Sequence, residues 1–217
     1  MKTNFSRDAN GGLTVIEMLM VIACVIIVLA MILPPGRRPQ RAPLVTCVSH
    51  VRQIDLGFLM YASDNDGKFP IQISVTNGGT MDFLDRGQTF PHYQKLSKYI
   101  AALPVLVCPA DKTRRAATNY ESLTDTNLSY FLNADVSTNN PSSSILDGER
   151  TFEANGDPVR HGTFLVKTNT DLAWTSENHH NEGTLGFTDG HAEVSRGVNL
   201  NALFQRQGLA TNRLSVP

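Results

Sequence analysis

Gly11-Gly12-Leu13-Thr14-Val15-Ile16-Glu17 opens the stretch on which the reading of this chain turns, and sixteen unbroken apolar residues, Met18 to Leu33, follow it. Met1 to Gly12 is short, polar and slightly basic, with Lys2, Arg7 and Asp8. Leu13 to Leu33 is 21 residues, about 31 Å as a helix rising 1.5 Å per residue. The hydrocarbon core of a bilayer measures about 30 Å. A secretory signal carries an apolar region of about 7–15 residues and a small-residue cleavage site. Here the run is longer and ends in Pro34-Pro35-Gly36-Arg37-Arg38. Residues 13–33 are therefore expected to stay in the mature chain as a transmembrane helix. Glu17 is the anomaly, since a carboxylate in an apolar segment costs about 2.5–3.5 kcal/mol and is functional by default. It either reaches back to water from one turn inside or has a task.

Composition narrows the rest. A chain of 217 residues leaves one domain beyond the apolar run, long enough to bury a core without metal or disulfide support. Its net charge of -1 gives no reason to expect nucleic acid as a partner. Sixteen glycines and eleven prolines with 18% charged residues indicate a loop-rich fold rather than a helical bundle. Three cysteines without a CxxC spacing read neither as a disulfide scaffold nor as a metal site.

Pro34 to Pro43 holds four prolines in ten residues, which should end or kink a helix. A hinge is expected over residues 34–43, and a globular α+β domain over 44–217. Leu44, Val48, Val51 and Phe58 step at helical spacing, predicting a helix to about Ser63 that stops at Asp64-Asn65-Asp66-Gly67. Asp64 and Asp66 also offer oxygen ligands for calcium, but Phe69-Pro70 breaks the loop pattern. A plain turn is the better reading. Strands are expected at residues 71–75, 128–132, 163–166 and 172–174, and a helix over 92–103. The Ser/Thr/Asn/Pro-rich Asp135–Ser144 reads as a surface loop.

Asp189-Gly190, flanked by Leu185–Phe187 and Ala192–Val194, reads as a hairpin with a type I′ turn. His179, His180, Asp189 and His191 could supply metal ligands, but Asp189 already has a use in the turn. No metal or cofactor is expected. No nucleophile elbow, phosphate loop or paired-carboxylate motif points to an enzyme. Cys24 should behave as a small hydrophobe. Cys47 and Cys108 are either a disulfide or two buried thiols.

Gly12, then a large apolar residue, then glutamate at Glu17, resembles the type IV prepilin signal of pilins and secretion pseudopilins. Three further blocks resemble one subgroup, the prepilin-type processing-associated H-x9-D-G proteins. They are Cys47 to Ile54 with Tyr61 to Pro70, Cys108-Pro109-Ala110-Asp111, and His179 with Asp189-Gly190. The resemblance implies cleavage by prepilin peptidase between Gly12 and Leu13, methylation of the new Leu13 amine, and Glu17 neutralising that amine on a neighbouring subunit. Leu13 departs from the usual phenylalanine, and Ser49-His50 from an Asn-Asn pair. The implied fold is α+β: a transmembrane helix, then a pilin-like domain with its first helix packed on an antiparallel sheet.

The implied function is non-enzymatic. The chain would be a pseudopilin-like subunit of a type II secretion-like or type IV pilus-like filament. Its partners would be prepilin peptidase, like subunits, the inner-membrane assembly proteins and the membrane itself. The expected location is the bacterial inner membrane, single-pass, with the domain on the periplasmic side. Arg37, Arg38 and Arg41, counted alone, would orient the helix the other way. The alternative is a membrane-anchored exported binding or metal-dependent domain that uses a prepilin leader for targeting.

Overall fold

The computed structural model describes residues 14–32, 41–167, 169–197, 200–209 and 211–217. The Gly12–Leu13 bond and residues 34–40 of the expected hinge lie outside these. The chain divides into two units, residues 1–38 and 39–217.

In the first unit, helix α1 (Val15–Ile32) is 18 residues long. Among the described residues no helix is long and apolar enough to cross a membrane. This corrects the expected transmembrane helix over 13–33, and with it the single-pass inner-membrane location. The reason is length. Eighteen residues span about 27 Å at 1.5 Å each, short of the roughly 30 Å hydrocarbon core. Glu17 sits in the first turn, so the uncharged part is shorter still.

The second unit opens with α2 (Arg41–Asp64), 24 residues. Arg41, Ala42 and Pro43, expected in the hinge, form its first turn, where proline's missing N–H costs nothing. One face buries Cys47, Val51, Ile54, Phe58, Tyr61 and Ala62, the spacing that a 3.6-residue period dictates. Gly67, at φ 72°, donates its N–H to the Ala62 carbonyl at 2.8 Å and ends the helix in the manner of a Schellman cap.

Among the described residues nine strands follow: β1 (Tyr130–Asn133), β2 (Ile145–Glu149), β3 (Phe152–Ala154), β4 (Asp157–Pro158), β5 (Gly162–Val166), β6 (Leu172–Trp174), β7 (Glu182–Phe187), β8 (Ala192–Arg196) and β9 (Asn212–Val216). Six make an antiparallel sheet in the order β5-β9-β1-β2-β7-β8, and three make a second sheet, β4-β3-β6. The α2 helix lies across β7, β8 and β2. Alternation along β1 splits the core in two. Tyr130 and Leu132 join the α2 residues, while Phe131 joins Phe152, Trp174 and Phe204 on the opposite face. Phe204 comes from a short helix over Leu200–Arg206. Each fully buried aromatic or aliphatic side chain contributes roughly 1.5–3 kcal/mol.

Three expectations change. Residues 71–75 form no strand; short 3-10 turns at Pro70–Gln72 and Val75–Asn77 stand there, entered by the φ-fixed Pro70. The helix over 92–103 shrinks to Phe90–Gln94 and a 3-10 turn at Lys95–Lys98. The segment Asp135–Ser144 is tied down rather than merely superficial. Val136 and Ser144 are fully buried, and Thr138 Oγ1 donates to the Gly67 carbonyl at 2.6 Å.

Candidate functional site

Three of the residues that carry the resemblance, Cys47, Cys108 and His179, meet at one place. The second turn of α2 presents Cys47. A 3-10 turn at Leu103–Leu106, entered by Pro104, leads through extended Val107 to Cys108. Cys47 and Cys108 form a disulfide with their Cα atoms 5.4 Å apart, and both are fully buried. Beside them stands His179, whose Nε2 is 3.2 Å from Cys108 Sγ and 3.3 Å from Glu149 Oε1.

Glu149 ends β2 and is 0% exposed. Neither of its carboxylate oxygens accepts a hydrogen bond from the described residues. An ionised carboxylate has room for about four donors, and burying it without them is costly. Its neighbour Arg150 does not help, because the guanidinium turns to Asp111, with Nε 3.1 Å from Oδ2. After His179 the chain enters β7 through two left-handed residues, His180 at φ 53° and Asn181 at φ 66°. Such a conformation costs a non-glycine of order 1–3 kcal/mol and clusters at functional sites.

The Cys-Pro-Ala-Asp stretch has a local account as well. Asp111 donates its N–H to the Cys108 carbonyl at 2.9 Å. Its carboxylate accepts from Thr113, Ser129 and Arg150. Burial alone would raise the Asp111 pKa, but these hydrogen bonds and the arginine charge outweigh it and hold it below the usual value. The cysteine is thereby pinned to Ser129, just before β1, and Arg150, just after β2.

The H-x9-D-G signature does not gather into one site. Its spacer includes the whole of β7, with His179 before it and Asp189-Gly190 after it. Six residues of strand separate them by roughly 20 Å. At the far end the loop is not type I′. Phe187 N–H donates to the His191 carbonyl, and Gly190 N–H to the Phe187 carbonyl, so Thr188, Asp189 and Gly190 form a three-residue loop. Only Gly190 in it is left-handed, at φ 83°, as such loops require. Asp189 Oδ1 accepts from the His191 N–H at 3.1 Å, and the His191 ring stacks on Phe187. Both are occupied away from His179.

Asp64 and Asp66 make no calcium cage. Asp64 accepts the Tyr99 hydroxyl at 2.7 Å, and Asp66 is a left-handed turn residue at φ 53°. Glu17 serves locally too. Its Oε2 accepts from Thr14 N and Thr14 Oγ1, both at 2.8 Å, and its N–H reaches Thr14 Oγ1 at 3.4 Å. Thr14-x-x-Glu17 is a capping box on α1, a pattern visible in the sequence. The residue that sequence reasoning missed is Glu149, and no spacing signals it. Compared with known proteins, the chain matches no family model, no curated protein and no solved structure.

Proposed function

We propose that the chain is a non-enzymatic, pilin-like structural subunit, processed between Gly12 and Leu13 by prepilin peptidase and assembled with copies of itself through α1. The observation that carries this reading is the surface of α1. Val15, Ile16, Leu19, Met20, Val21, Ile22, Val25 and Val28 are each at least half exposed, and at about 100° per residue they lie all round the helix. A helix apolar on every side requires burial on every side. The same helix on neighbouring copies supplies such burial by side-to-side packing. Glu17, five positions after Gly12, would exchange its Thr14 cap for the Leu13 amine of a neighbour. The charge then gains a partner as water leaves.

The test is to purify the chain from its native cell and measure its intact mass with its assembly state. A mature chain starting at methylated Leu13, recovered in filaments, is the expected result. Glu17→Ala should leave processing intact and release subunits unassembled. A mass that still includes Met1 to Gly12 would overturn the proposal.

A further inference from the structure

We propose that Cys47, Cys108, Glu149 and His179 form a zinc-binding site whenever the two cysteines are dithiol, so that disulfide and metal are alternative states of one buried cluster. The cluster is independent of the filament reading.

One ligand atom from each of the four residues lies within 4.8 Å of the others. Zinc bonds of about 2.0–2.3 Å to oxygen, nitrogen and sulfur make a tetrahedron with edges of about 3.3–3.8 Å. The observed Cys108 Sγ to His179 Nε2 and His179 Nε2 to Glu149 Oε1 separations, 3.2 and 3.3 Å, are already close to such edges. Once the bond between them is gone the sulfurs must part by side-chain rotation, and the remaining pairs, all within 4.8 Å, need to close by no more than about 1–1.5 Å to reach such edges. Two thiolates, an imidazole and a carboxylate make a fitting donor set for zinc, a borderline-soft ion bound in structural sites by four protein ligands.

A second observation points into the same cluster. Glu149 is completely buried and, among the described residues, its oxygens receive no hydrogen bond; His179 Nε2, 3.3 Å from Oε1, pairs with it only when the ring is protonated. The neighbouring disulfide has no proton to give. A divalent cation at the centre would answer this unmet demand directly. It would also give a use to the strained His180-Asn181 turn that aims His179 at the sulfurs. A surface pocket lined by His50, Pro109 and Lys112 reaches down to the covered Cys108, so only a thin layer separates the cluster from solvent.

The chemistry balances in two steps. A water-soluble phosphine reduces the disulfide: phosphine and water give two thiols and the phosphine oxide. Zinc then binds, and the two thiols release two protons as they become thiolates. A disulfide oxidant such as oxidised glutathione reverses this: it takes two electrons from the thiolates and, with two protons, leaves as two molecules of reduced glutathione, while the ion, having lost both anionic sulfurs, is released.

The experiment uses the full chain carrying Cys24→Ala, to remove the third thiol, reduced anaerobically with phosphine and titrated with cobalt(II) and then zinc. One equivalent of cobalt should bind, with thiolate charge-transfer absorption and the intense visible bands of a tetrahedral site, and zinc should displace it. The oxidised chain should bind neither ion. His179→Ala and Glu149→Gln should each weaken binding by at least the roughly 10–100-fold that loss of a mere outer partner costs. Failure of the reduced chain to take up one equivalent would overturn the proposal. So would affinity unchanged in both variants, because two thiols on a loosened chain would then suffice.

Discussion

The carboxyl groups of Asp55, on α2, and Asp147, on β2, meet in the core, and the bare Cα of Gly186 leaves the space they occupy. Both residues are 0% exposed. Burial raises both pKa values well above the ordinary carboxyl value, and the repulsion of Asp147 raises Asp55 further. Two carboxyls in one dry site cannot both ionise cheaply, so the folded chain holds a proton between them. The β2–β7 register shifts between Ile145 and Asp147, and such an irregularity re-aims a side chain. It lets Leu146 join the α2-side core while Asp147 also reaches the helix.

The pair sets the sign of one pH dependence. A carboxyl with a raised folded pKa binds its proton more tightly in the folded state. Its stabilisation is fully present below the unfolded value near 3.8 and is lost as pH rises through the folded value. Asp147→Asn replaces the shared proton by a permanent amide donor. It should raise stability at pH 7 by about 1–3 kcal/mol and flatten the urea-unfolding profile above pH 4. An unchanged slope would show that the pair carries no proton.

His92 acts in the opposite direction. Burial lowers its pKa from 6.5 to about 3, and its Nδ1 lies 2.6 Å from Thr80 Oγ1. The folded state therefore excludes a proton that the unfolded state accepts. The stability this contributes is complete above pH 6.5 and is lost as pH falls towards about 3. Imidazole NMR shifts for His92 should stay constant from pH 8 to pH 4. Titration near 6.5 would refute the burial argument.

Gly186→Ala should be destabilising by about 1–3 kcal/mol, the usual penalty for overfilling a packed core. An added Cβ would lie 2.3 Å from Asp147 Oδ1 and 2.4 Å from Asp55 Oδ2. Because the clash is with those oxygens, the penalty should shrink in an Asp147→Ala background. A double-mutant cycle by chemical denaturation measures the coupling, and strict additivity would contradict this account.

Cys47→Ser with Cys108→Ser opens a closure of 61 residues. In the chain-entropy model this costs roughly 4 kcal/mol. Thermal unfolding of the oxidised chain and the double variant, without metal, checks the figure. A loss below about 1 kcal/mol would mean that the neighbouring core already holds the two segments together.

The α2 helix was legible because Val51, Ile54 and Phe58 repeat at the helical period and Gly67 stops them. β6, over Leu172–Trp174, was equally plain as a short apolar run. β2 was not. It contains Asp147, Gly148 and Glu149, residues that disfavour strands, and only its place between β1 and β7 makes it one. The same feature hid the chemistry. Cys47, Cys108, Glu149 and His179 come from four separate segments, so no ligand spacing exists to be read. His179 stood out through its distance from Asp189, yet its neighbours are Cys108 and Glu149. Thr14 and Glu17 carried a capping pattern that the apolar run overshadowed.

The position of β9 bears on how the domain forms. β9 lies between β5 and β1, pairing Leu132 with Ser215 and Thr163 with Ser215. Every pairing that joins β5 to the rest of the six-stranded sheet therefore waits for residues 212–216. Contacts of such long sequence separation form slowly. Until they form, β1 and β5 each hold an unpaired edge, the kind of surface on which chains aggregate. Folding of this domain is thus a race between its own late strand and the strands of other molecules.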